Sequence, residues 1–204
     1  MRKPYRNRNM IKRENTFEQI FGRAERVWHE ISCQMPHIDI FCFAPTGAGR
    51  DFFTMTTSGM SDRVMNVPPE LPLEYPRRVE LVFYCTEPRA EYAEFLRRLA
   101  HYPLDNNTWF GIGHTMETAA ISLLGNQDIE ALLFIPAPFM PDESLAKNLH
   151  IDNDPVSLIW VVPITKNECA LISENGCCAT ILDLFSQLGR PYVFDSHKRQ
   201  PMQD

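Results

Sequence analysis

No apolar run in this chain approaches the roughly 20 residues that a membrane-spanning helix needs. The longest, 131–135 and 158–162, have the length of buried strands. There is no CxxC pair and no Cys/His ladder, which removes a structural zinc of the usual spacing. Cofactor and metal are therefore both expected to be none. The N-terminus lacks the apolar stretch of a secretory signal, so the expected location is cytoplasmic. In that setting the six cysteines, Cys33, Cys42, Cys85, Cys169, Cys177 and Cys178, read as thiols and not as a disulfide framework. Phosphate-binding glycine loops are missing too. Gly47-Ala48-Gly49 and Gly111-Ile112-Gly113 are too short, and no helix pattern follows the first. Ser58 is not flanked by glycine on both sides, so it is no nucleophile elbow. Cys177-Cys178 beside Gly176 has no local partner that would activate a thiolate. Acids are absent from the first thirteen residues, which carry Arg2, Lys3, Arg6, Arg8, Lys12 and Arg13. No internal repeat or shift of composition divides the chain.

What is present is enough for a core. The chain has 204 residues, 44% of them hydrophobic and 11% aromatic, which argues against wholesale disorder. The net charge is −6, and setting aside the six basic residues of the arm leaves about −12 on the remainder. An acidic body is a poor phosphate-neutralising surface, so nucleic acid is not an expected partner, and neither is a membrane. Residues 1–14 read as a flexible basic arm, 15–195 as one folded domain and 196–204 as a loose tail.

Periodicity sets the elements. Thr16-Phe17-Glu18-Gln19 has the form of a capping box, and Ile20, Ala24, Val27, Trp28 and Ile31 recur at helical spacing, predicting a helix over 16–32 that Pro36 stops. Residues 37–44 and 51–57 alternate as strands around a Pro-Gly turn and predict an antiparallel hairpin. Residues 62–77 hold four prolines and predict a long loop of the kind that often carries function. Strands are expected at 79–85, 131–135 and 156–164. Helices are expected from Pro88 to about His101, after Thr165, and around 181–188, where Gly189-Arg190-Pro191 ends the last one. Residues 104–116 read as irregular. The sum is a single α+β domain with a mixed, largely antiparallel sheet and packed helices.

Few residues suggest chemistry. His37 and Asp39 stand i, i+2 on a strand and share a face, where they suit a metal or a proton transfer; His114, in a Gly-flanked loop, is the one candidate for a third ligand. The turn Thr56-Thr57-Ser58-Gly59-Met60-Ser61-Asp62 concentrates small hydroxyls, a glycine and an acid between strands. No convincing catalytic set emerges. Exposed aromatics, proline-rich loops and strand edges suit recognition of a peptide or protein.

The ordered set of segments resembles the suppressor of fused domain family. The segments are Pro36-His37-Ile38-Asp39-Ile40, Thr57-Ser58-Gly59-Met60-Ser61-Asp62, Val79-Glu80-Leu81-Val82-Phe83, Leu99-Ala100-His101-Tyr102, Gly113-His114-Thr115, Ile159-Trp160-Val161-Val162-Pro163-Ile164 with Glu168, and Ile181-Leu182-Asp183-Leu184-Phe185. The resemblance runs from about Trp28 to Leu188. It implies an α+β fold and a non-catalytic, protein-binding role. In animals the family's founding protein restrains a zinc-finger transcription factor by clamping a short strand-like peptide between two lobes, and the likeness here is to the N-terminal lobe. Stand-alone bacterial members are associated with polymorphic toxin systems as immunity proteins, which implies a cognate toxin domain as partner. Contacts would fall on His37, Asp39, Ser61, Asp62 and His114 with the 62–77 loop. A regulatory adaptor that adds a peptide strand to the sheet is the alternative, and a metal-dependent enzyme using His37, Asp39 and His114 is a third reading.

Overall fold

The computed structural model describes residues 8–47, 50–72, 75–139, 142, 147–175, 183, 186 and 192–197. Its sheet has eight strands in the order β1-β2-β3-β4-β8-β6-β5, with β7 paired to β8 off this path. The strands are β1 (Arg26–Trp28), β2 (Asp39–Phe43), β3 (Phe53–Ser58), β4 (Arg78–Cys85), β5 (Thr115–Met116), β6 (Ala131–Pro136), β7 (His150–Ile151) and β8 (Asp154–Ile164). Every pairing is antiparallel except β4 with β8, where Arg78 stands opposite Val156 and Val82 opposite Trp160. Among the described residues, three α-helices pack on the sheet: α1 (Arg8–Phe21), α2 (Ala90–Asp105) and α3 (Lys166–Asn175). The fold is one α+β domain with a mixed, largely antiparallel sheet, as the sequence predicts.

The sheet is buried on both faces. Ile38, Ile40, Cys42, Leu81 and Phe83 pack with Tyr92, Phe95, Leu96 and Leu99 of α2 on one side. Phe41, Phe43, Val82 and Tyr84 pack with Phe17, Ile20 and Phe21 of α1 and Ile172 of α3 on the other. This is why the 81–85 half of β4 reads as a continuous apolar run and not as an alternation, and why its Arg78 and Glu80 are buried as well.

Several elements depart from expectation. The helix predicted over 16–32 lies instead at Arg8–Phe21, and Gly22 ends it with φ of 83°. Residues 26–28, which fit a helical period, form β1 because pairing with Phe41 covers the outer edge of β2. Thr16 sits inside α1, where its hydroxyl donates back to the Lys12 carbonyl at 3.0 Å. Residues 8–14, expected in a loose arm, are the first half of α1, and Arg13 is buried. A working capping box occurs at α3: the Thr165 amide donates to Glu168 and the Glu168 amide to the Thr165 hydroxyl. α2 runs past His101 to Asp105, with Pro103 in its last turn. The stretch read as irregular contains β5, and the short β7 pairs with β8 through Asp152 and Asn153, both left-handed as a two-residue hairpin turn requires. Of the helix expected at 181–188, only Asp183 and Ser186 are described, and both are helical. Cys177 and Cys178 lie outside the described residues.

The 62–77 segment is tied down, not free. Met65 and Val67 are buried in the α2-side core, the Met65 amide donates to the Arg77 carbonyl, and the Asn66 amide donates to that of Thr108.

Candidate functional site

The Ser58–Asp62 turn is built around one carboxylate. Glu80 projects from β4 into a fully buried position. Its Oε1 accepts from the amides of Gly59 (3.0 Å) and Ser61 (3.1 Å) and from Ser61 Oγ (2.6 Å), and its Oε2 accepts from Thr57 Oγ1 (2.6 Å). Arg13 enters from α1 with only 2% of its side chain exposed. Its guanidinium donates to Ser58 Oγ and Ser61 Oγ, and to both oxygens of Asp62 at 2.6 and 3.2 Å, with Nε 3.7 Å from Glu80. Arg78 closes the other side, donating to the Ser61 carbonyl at 2.8 Å and to Asp154 and Asp152 at 3.1 Å each. Gly59 is required here: its φ is 133°, and a Cβ would collide with the His37 carbonyl. Ser61 is therefore committed inside the protein, while Asp62 keeps part of its side chain in water.

The same end of the sheet carries His37 and Asp39, because Asp39 pairs with Ser58 in the β2–β3 register. His37 Nε2 lies 3.0 Å from Asp39, on the shared face the spacing predicts. Asp39 also accepts from the Glu30 amide at 2.9 Å and lies 3.0 Å from His29. Glu30 in turn accepts from the Ile38 amide (2.8 Å), Ser32 (2.9 Å) and His101 Nε2 (2.9 Å). Burial pushes the Glu30 carboxyl up, but the Ile38 amide, His101 and Ser32 together outweigh it and hold it below its ordinary 4.5. His37 is 46% exposed, so this cluster reaches the surface through imidazole while its carboxylates stay inside.

His114 stands apart. It precedes β5, the opposite end of the sheet from β1, and β3, β4, β8 and β6 lie between β5 and β2. At strand spacing that is roughly 24 Å along the sheet. The third ligand that the metal reading required is not brought to His37 and Asp39, and among the described residues no group of His, Cys, Asp or Glu could hold a metal ion. His114 instead accepts from the Gly111 amide and packs edge-on against Trp109. The residue as a whole is exposed, yet loss of water around its ring lowers its pKa below 6.5.

Sequence reasoning missed the groups that organise these sites: Arg13, Arg78, Glu80, Glu30, His29 and His101. Glu80 carried a signal. A lone carboxylate in the apolar run Val79–Phe83, on a strand covered on both faces, has to be buried and paired. No helix among the described residues is long and apolar enough to cross a membrane.

A search of curated protein sequences finds no match. Among solved structures, the fold is similar to a crystal structure of a suppressor of fused homolog from Neisseria gonorrhoeae FA 1090, with TM-score 0.64, 16% identity and 95% of each chain covered. It is also similar to a crystal structure of the Sufu-Fu complex, with TM-score 0.58, 14% identity, and coverage of 81% of this chain and 79% of that one. The family model for Suppressor of fused protein (SUFU) matches residues 34–199, from the loop before His37 through Asp39, the Ser58–Asp62 turn and Glu80 and beyond β8, while Arg13, His29 and Glu30 precede it. That span takes in most of the chain, which belongs to the suppressor of fused family.

Proposed function

We propose that this chain is a non-catalytic protein-binding domain of the immunity type, neutralising a cognate toxin domain by direct contact. The family match over residues 34–199 supports the protein-binding part of this reading, since a structure of similar fold is solved as the Sufu-Fu complex; the immunity role goes one step further. The site chemistry supports it. Glu80, Asp39, Glu30 and Arg13 are engaged with one another and with backbone groups, so they shape a rigid surface and do not confront a substrate. His37, Asp62 and, at the far end of the sheet, His114 would make contact; Asp39 would hold His37, and Ser61 would help hold the Arg13 that fixes Asp62. A net charge of −6 favours a basic toxin such as a nuclease, by faster association and charge complementarity. Co-expression with a candidate toxin domain tests the reading. Rescue of growth and co-purification of the pair are expected; failure of both removes it.

A second reading, an adaptor that adds a partner's strand to the sheet, has one observation in its favour. Of the two terminal strands, β1 has its Trp28 carbonyl taken by Arg97 at 2.9 Å, whereas no such side-chain bond to the β5 backbone is seen among the described residues. Thr115→Pro, at the residue whose backbone faces away from β6, would abolish binding under this reading and leave it intact under a mode confined to the β2–β3 end.

A further inference from the structure

Between α1 and β1 the helix layer is incomplete. Gly22 ends α1 with φ of 83°, and the chain turns through residues 23–25 into β1 at the edge of the sheet. Arg13 ties α1 to Ser58 of β3, inward of β2, while Phe17 and Phe21 rest on Phe41 and Phe43. The helix is thus anchored toward the middle of the sheet, and a space remains on its β1 side. That space is a pocket of about 470 Å³. Sites for small molecules commonly run from about 300 to 1,000 Å³.

The floor of the pocket is apolar. Val27 of β1 stands opposite Phe41 in the β1–β2 register, and Ala24 and Phe43 complete the floor. The Phe41 and Phe43 rings are stacked, with centroids 6.3 Å apart and planes at 18°. A further ring can join them offset or edge-on. The rim carries one charge of each sign. Glu18 comes from the last turn of α1 and Arg23 from the turn that follows, and both are exposed. Among the described residues neither side chain forms a hydrogen bond or an ion pair, with each other or with anything else. In this they differ from Asp39, Glu30 and Glu80, whose acceptor positions are filled.

An occupant that displaces water from this rim has to answer both charges, because a charge that loses its water without gaining a partner is destabilised. An apolar acid answers Arg23 alone, an apolar amine answers Glu18 alone, and either end of a peptide carries only one of the two poles. We propose that the pocket binds a free amino acid with an aromatic side chain. Its ring lies on Val27, Phe41 and Phe43, its ammonium faces Glu18 and its carboxylate faces Arg23, whose planar fork suits a carboxylate. Burial of the ring supplies most of the affinity, and the two partly screened charges select the zwitterion. The site lies apart from the protein contacts proposed above and does not depend on them.

The test titrates the full chain with four probes by calorimetry. L-phenylalanine is expected to bind one site with a dissociation constant of about 1 mM or lower. Phenylpropionate lacks the ammonium, phenethylamine the carboxylate and L-alanine the ring, and each should bind about fivefold more weakly or worse. Two variants assign the poles. Glu18→Gln should weaken L-phenylalanine and phenethylamine about fivefold and leave phenylpropionate as it was, whereas Arg23→Gln should weaken L-phenylalanine and phenylpropionate and leave phenethylamine as it was. Both positions are exposed, so the melting temperature should not move. If L-phenylalanine, L-tyrosine and L-tryptophan all fail to saturate wild type at about ten times that concentration, the proposal is overturned. Phenylpropionate binding wild type as tightly as L-phenylalanine overturns it too, since the pocket would then be an apolar cleft without a role for Glu18. Neither result bears on whether the chain binds a protein partner.

Discussion

Removing the carboxylate of Glu80 leaves two amides and two hydroxyls without their acceptor, and leaves Arg13 facing a smaller negative charge. Glu80→Ala is expected to cost about 3–5 kcal/mol, the range for breaking a buried charge network, read as a shift in the urea midpoint. A loss inside about 0.5 kcal/mol, the range of an ordinary surface change, would contradict the assigned role. Glu30 gives a signed pH dependence. Its folded pKa is depressed below 4.5, so its contribution is complete above the unfolded carboxylate value and is lost as pH falls through the folded one. Between pH 5 and 3, wild type should lose more stability than Glu30→Gln; parallel profiles would show that Glu30 is not held as described. Burial pushes the Cys42 thiol up to about 12 and raises that of Cys85 as well. Iodoacetamide at pH 8 should therefore label Cys33 in the native protein and leave Cys42 and Cys85 untouched, as peptide mapping can establish. The i, i+2 spacing of His37 and Asp39 made their partnership legible in the sequence, although the strand expected from His37 begins only at Asp39. Their link to Glu30 and His101 was not, since it depends on how a loop folds against a helix 70 residues away.

Helices and strands were read best where burial on one layer dictates the pattern. β4, β6 and β8 match their apolar runs because each lies inside the sheet and is covered on both faces, and α2 matches because one side of it packs on that sheet. The failures fall at the margin. Residues 26–28 satisfy a helical period and an edge strand alike, and only the uncovered side of β2 decides between them. α1 was displaced because Thr16-Phe17-Glu18-Gln19 has the composition of a start, while the actual determinants, Arg13 for the Glu80 network and Phe17 and Phe21 for Phe41 and Phe43, act at long range. Phe17→Ala is expected to cost about 3–5 kcal/mol, as for a fully buried aromatic. Thr165→Ala, which removes half of a capping box, should cost about 1 kcal/mol in the same urea assay.

For the molecule as a whole, the single α+β domain and its family were legible in the order of the segments, whereas the sheet order was not. Pairing β4 with β8 while the intervening chain forms α2, β5 and β6 is a tertiary outcome that no local pattern encodes. That insertion bears on synthesis. β1 to β4 form an antiparallel series from neighbouring stretches of chain, but the outer side of β4 stays open until residues 154–164 leave the ribosome. Nascent chains arrested before that point would present β4 with one open edge to chaperones, and chains arrested well after it would not. Ribosome-bound fragments of graded length, probed by limited proteolysis, should pass abruptly from digestible to resistant once the eighth strand has emerged.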